Sequence, residues 1–97
     1  MIKKGVEIKA LLVNGRKLSG RTINIYDRPA DKRRFAVLTP KRIGHAVQRN
    51  IMKRLVREIY RKHPSWFKDR EVAILVKRFK NSYASLEREI GDMVAKK

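Results

Sequence analysis

The sequence predicts a compact α/β domain, with helices packed on a small mixed β-sheet, and three observations carry that prediction. Five consecutive apolar residues at 72–76 (VAILV) suit a strand buried on both faces. The stretch 45–62 places Val47, Ile51, Met52, Leu55, Val56 and Ile59 at helical spacing. Shorter segments that alternate apolar and polar residues precede it. A strand, a long helix and then a buried strand form a crossover between parallel neighbours, because parallel strands need a connection of a dozen or more residues.

Taken in order, residues 4–14 (KGVEIKALLVN) read as a helix stopped by Asn14-Gly15. This helix carries two apolar stripes, Val6-Ala10-Val13 and Ile8-Leu11-Leu12, where packing on one side needs only one. The second is free to form a further core contact or to line a cleft. Residues 21–28 alternate as a strand, with Ile23 and Ile25 on one face and Thr22, Asn24, Tyr26 and Arg28 on the other. Pro29-Ala30-Asp31 turns the chain, and a second strand runs over 33–39 to Pro40. The long helix of 45–62 is broken by His63-Pro64-Ser65. A strand over 71–78 follows. From about Ser82 a last helix places Leu86, Ile90, Met93 and Val94 on one side. No repeat, linker or composition break divides the 97 residues, so residues 1–97 read as a single domain.

Composition narrows the chemistry. The absence of cysteine removes disulfides, thiolate metal sites and a thiol nucleophile, and fits a reducing, cytoplasmic setting. No stretch approaches the roughly 20 apolar residues of a membrane span, and no apolar run of secretion-signal type follows Met1-Ile2-Lys3-Lys4. Twenty-six Lys and Arg against nine Asp and Glu give a net charge of +17. Such a chain repels itself strongly unless a polyanion neutralises it.

The long helix shows where a polyanion would bind. Its apolar residues fill one half of the cylinder, and Arg49, Asn50, Lys53, Arg54, Arg57 and Arg61 fill the other. Arg49, Lys53, Arg57 and Arg61 form a same-sign ladder at i,i+4, each step costing a few tenths of a kcal/mol in an isolated helix. Solvated faces usually mix signs to avoid that cost, whereas a bound polyanion removes it. A lipid surface would need the apolar half, which the sheet requires. Arginine beside asparagine also suits phosphates and base edges. Nucleic acid is the expected partner.

The stretch "KRIGHAVQRNIMKRLVREIYR" (41–61) closely resembles the signature of the bacterial ribonuclease P protein subunit family. In that family a basic pair and a glycine lead into an Arg-Asn-Arg element, a Lys-Arg and an Arg-Glu. The resemblance implies a four-stranded mixed sheet in a ribosomal-protein-like α/β sandwich with a left-handed crossover. It implies binding of the catalytic RNA through Arg49, Asn50, Lys53, Arg54 and Arg57, with Lys41, Arg42 and Arg61 extending the basic surface. It further implies a cleft for the 5′ leader of precursor tRNA between the first helix and the sheet. There Tyr26 matches a leader-contacting tyrosine, and the family's leader-facing aromatic positions fall at Ile8 and Leu12. Aliphatic side chains at those two positions keep an apolar wall and lose stacking. Two departures stand out: the third residue of the Arg-Asn-Arg element is Ile51, and of the family's basic N-terminal arm only Lys3 and Lys4 are found.

The residues themselves offer no catalytic centre. Asp27/Asp31 and Asp69/Glu71 are close in sequence but fall at turns or strand ends, and Glu87, Glu89 and Asp92 read as a solvated helix face. His45 and His63 have no partner at metal-ligand spacing, and no Gly-rich phosphate loop or nucleophile motif is present. Trp66, Phe67, Phe79 and Tyr83 read as packing residues. With no centre of its own in the chain, the resemblance implies the non-catalytic subunit of an endoribonuclease, monomeric and in 1:1 complex with an RNA that holds most of the Mg²⁺. The alternative is a structural RNA-binding protein, such as a small ribosomal protein.

Overall fold

Alternation in the strands and periodicity in the helices settle most of the architecture. The computed structural model describes residues 11–31 and 34–95. Residues 11–14 are helical. Strands β1 (Arg16–Ser19), β2 (Ile23–Pro29) and β3 (Arg34–Leu38) follow, then a 3-10 turn (Lys41–Ile43) and helix α1 (Ala46–Lys62). A second 3-10 turn (Pro64–Phe67), strand β4 (Arg70–Val76) and helix α2 (Tyr83–Ala95) complete the chain. The sheet order is β1-β2-β4-β3. β4 pairs antiparallel with β2 and parallel with β3, so α1 is the crossover between parallel neighbours that the element order predicts.

Strand β1 has no signature in the sequence. Its residues RKLS lie at the sheet edge, and only Leu18 packs against the core, too few apolar positions to alternate. It pairs antiparallel with β2, placing Lys17 opposite Tyr26 and Arg16 opposite Asp27.

The two sheet faces are unlike. One carries Ile23, Ile25, Val72, Ile74 and Val76, buried under Met52, Val56 and Ile59 of α1 and Leu86, Ile90 and Met93 of α2. Each such side chain contributes roughly 1.5–3 kcal/mol by burial. The other face has a smaller cluster, in which Leu11 is buried against Ala36 and Ala73 and Tyr26 packs beside them. Leu11 thus makes the core contact. Val13 is 77% exposed, so its stripe ends in solvent.

Two of the three acids of α2, Glu87 and Glu89, are structural, contrary to the solvated face that the sequence suggests, and only Asp92 stays exposed. Glu89 Oε2 accepts the backbone N–H groups of Thr22 and Ile23 at 2.9 and 3.1 Å, holding the β1–β2 turn onto the helix. Glu87 Oε2 lies 2.7 Å from His63 Nε2, and the His63 ring stacks on Trp66 at 3.8 Å. The hydrogen bond with His63 is the main reason that the Glu87 carboxyl titrates below its ordinary range. These contacts link α2 to the end of α1, where His63 is the C-terminal cap.

A candidate nucleic-acid interface

The approach to α1 is fixed by two local features. Ile43 is buried and anchors the 3-10 turn, leaving Lys41 and Arg42 exposed on it. Gly44 then adopts φ +143, and a Cβ there would collide with the Gln48 side chain. Gln48 folds back over this space, its Oε1 accepting the His45 backbone N–H at 2.8 Å. No acid stands in the first turn of α1, so the positive end of the helix dipole lies uncompensated beside Lys41 and Arg42.

The helix then divides into faces, rotated from the arrangement that the sequence suggests. Met52, Val56 and Ile59 are buried, whereas Ile51 and Leu55 are half-buried and Val47 is 70% exposed. Six apolar residues span half the cylinder, but the sheet covers a narrower arc centred on Met52, Val56 and Ile59. Val47 lies roughly 150° from that centre. Asn50, Arg54, Arg57 and Arg61 are exposed, and Arg49 and Lys53 are half-buried on the flank.

This face borders an open groove of about 720 Å³, whose walls include Lys53, Arg54, Arg57 and Arg61. Phe35 and Tyr60, stacked at 3.9 Å, form an aromatic part of the lining that periodicity did not single out. One acid intrudes: Glu58 takes Arg61 Nη2 on both carboxylate oxygens, at 2.8 and 2.7 Å. Arg61 is accordingly the residue of the set with its charge already engaged.

The second region lies on the opposite sheet face. Tyr26 is half-buried beside Leu11, Ala36 and Ala73, with Lys17 Nζ 5.9 Å from its ring centroid. Arg28 is on the same face and pairs with Glu71 at 2.8 Å. The open polar face expected for this strand is smaller than the sequence suggests: Thr22 and Asn24 are buried, and Asn24 Oδ1 faces the Gly20 N–H at 3.4 Å. Leu12 is half-buried, and Ile8 lies outside the described residues. Among the described residues no three His, Asp or Glu side chains are grouped to hold a metal ion, and no helix is long and apolar enough to cross a membrane.

Fold and surface define a class: a small α/β protein with a basic helix face and a separate aromatic and basic patch behind the sheet. Comparison with known proteins sharpens this. The family model for ribonuclease P matches residues 1–97. The ribonuclease P protein component of Syntrophomonas wolfei is 34% identical over 93 residues, covering 91% of this chain and 78% of that protein. The one from Dictyoglomus thermophilum is 35% identical over 98 residues, covering 98% and 82%. Among solved structures, the Staphylococcus aureus ribonuclease P protein superposes with a TM-score of 0.86 at 20% identity, covering 97% of this chain and 91% of that one. The Thermotoga maritima protein gives 0.85 at 17%, covering 99% and 96%. The chain belongs to the ribonuclease P protein family.

Proposed function

We propose that this protein acts as the RNA-binding subunit of a ribonuclease P ribonucleoprotein that removes the 5′ leader of precursor tRNA in the cytoplasm. The observation that carries the reading is the basic face of α1, where Asn50, Arg54 and Arg57 are exposed on a helix whose other side is locked into the core. Together with Lys41, Arg42 and the flanking Arg49 and Lys53, this face binds the catalytic RNA as a monomer, one protein to one RNA. Tyr26 and Lys17, on the other side of the sheet, hold the unpaired leader.

In this reading the chemistry belongs to the RNA. The described acids are engaged in folding contacts or scattered, which does not fit a Mg²⁺ site on the protein. Mg²⁺ held by the RNA would supply activation of the attacking water. The protein screens phosphate repulsion and adds affinity for the leader.

The test compares the unmodified holoenzyme, assembled with a bacterial ribonuclease P RNA, with one carrying Tyr26→Ala. The protein alone should cleave no precursor tRNA, and adding it should lower the Mg²⁺ that the RNA requires. Tyr26→Ala should weaken binding of precursor with a leader of several nucleotides and leave mature tRNA unaffected. A loss near the low end of the 1–3 kcal/mol typical of one base stack is expected, since the ring is half-buried. Cleavage by RNA-free protein, or an equal loss on mature tRNA, would overturn the assignment.

A further inference from the structure

A second basic concavity lies round the β1 edge from Tyr26. It is a notch of about 760 Å³ between the β1–β2 turn and α2, and Lys17, Arg21, Lys80 and Arg88 line it. All four are exposed. Arg21, Lys80 and Arg88 form no side-chain ion pair among the described residues. Two acids share the lining, Glu89 and Asp92. Glu89 turns Oε2 to the Thr22 and Ile23 amides and so serves the turn rather than the notch, leaving Asp92 as the one exposed acid against four cations.

Lys17 joins this notch to the Tyr26 patch. Its ammonium stands 5.9 Å from the Tyr26 ring centroid, and the same side chain lines the notch. From Lys17 the strand runs to Ser19, two residues or about 7 Å further, and the turn then delivers Arg21. An aromatic surface followed by a line of cations in a concave track is the arrangement that holds a single strand, with a base on the ring and phosphates along the cations. A-form duplex is instead read across a wide, shallow groove, which a notch pinched between a turn and a helix does not match.

Resting on the leader assignment of Tyr26, we propose that the notch formed by Arg21, Lys80 and Arg88 is a distal binding site for single-stranded RNA. It takes phosphates of the nucleotides that continue past Tyr26 and Lys17, so it engages only leaders long enough to round the β1 edge. Its affinity comes chiefly from phosphates, because cations dominate its exposed lining.

The experiment uses holoenzyme carrying Arg21→Ala, Lys80→Ala and Arg88→Ala together, with precursor tRNAs whose leaders are lengthened stepwise. In the unmodified holoenzyme, affinity should rise with length in two stages, the first lost with Tyr26→Ala and the second with the triple variant. For the longest leaders the triple variant should lower the salt slope by about 2, from about 0.7 for each of three single-strand phosphate contacts. Short-leader substrates and catalytic-RNA binding should be unchanged, and an unchanged circular-dichroism melt reports that the fold is retained. Equal weakening at every leader length, an effect on mature tRNA, or no effect on the longest leaders would each overturn the proposal. A failure of the leader assignment itself looks different: the unmodified holoenzyme would then show no dependence on leader length at all.

Discussion

Asp27 shows how much rests on a single side chain. It is fully buried on the helix-covered face, where Arg70 Nε reaches its Oδ2 at 3.0 Å and Arg16 Nε and Nη2 reach its two oxygens at 3.2 Å. This carboxylate ties β1 and β4 to β2, and β1 carries the Lys17 that faces Tyr26. Removing one partner of a buried ion pair typically costs 3–5 kcal/mol. The Arg16 and Arg70 side chains keep 40% and 23% of their exposure and can turn to water, so Asp27→Ala should cost about 3 kcal/mol, the low end of that range. Urea unfolding should show a lower midpoint at an unchanged slope. A loss under about 1 kcal/mol, the range of exposed pairs, would mean that water already screens the cluster. None of this was legible beforehand, because the partners lie 11 and 43 residues away and meet only once the sheet order is known. The same reason hid the structural work of Glu87 and Glu89.

At the scale of elements, α1 was legible in extent and only partly in orientation. Its breaker at His63-Pro64 and its periodicity give bounds within a residue of those observed. Periodicity reports which residues are apolar, whereas the width of the covered arc depends on how the sheet meets the helix, and Val47 falls outside it. β1 stayed hidden because an edge strand with one inward residue carries no pattern. The Glu58–Arg61 pair leads to a prediction about the binding face. Glu58→Gln removes the acid from the groove and releases Arg61, so RNA affinity should increase and the salt slope steepen by up to 0.7–0.9, the increment of one phosphate contact. Arg57→Ala should shift both in the opposite direction by a similar amount. Stability should fall by no more than about 0.5 kcal/mol, the worth of one helical ion pair. If Arg57→Ala weakens binding while Glu58→Gln leaves slope and affinity unchanged, Arg61 lies outside the RNA footprint.

Across the whole molecule, the net charge of +17 is spread over principal extents of only 34 × 28 × 20 Å. At 10 mM salt the screening length is about 30 Å, so nearly every cation repels every other across the molecule. At 0.15 M it is about 8 Å, and only near neighbours still interact. Salt also weakens the favourable pairs, which sets up a competition. Arg61–Glu58 and His63–Glu87 are partly exposed, and pairs of that kind are worth about 0–1 kcal/mol at most. The Asp27 cluster is buried and is screened far less. Relief of the long-range repulsion therefore outweighs the loss of local attraction, and the free protein should melt at a higher temperature in 0.15 M than in 10 mM sodium chloride. A relief of about 1 kcal/mol would raise Tm by roughly 4–8 °C in a domain of this size. A short RNA added at 10 mM salt should produce the same rise, since its phosphates neutralise the cations directly. A fall in Tm with added salt would show that the internal ion pairs carry more of the stability than the net charge removes, and that the fold tolerates its charge without a polyanion.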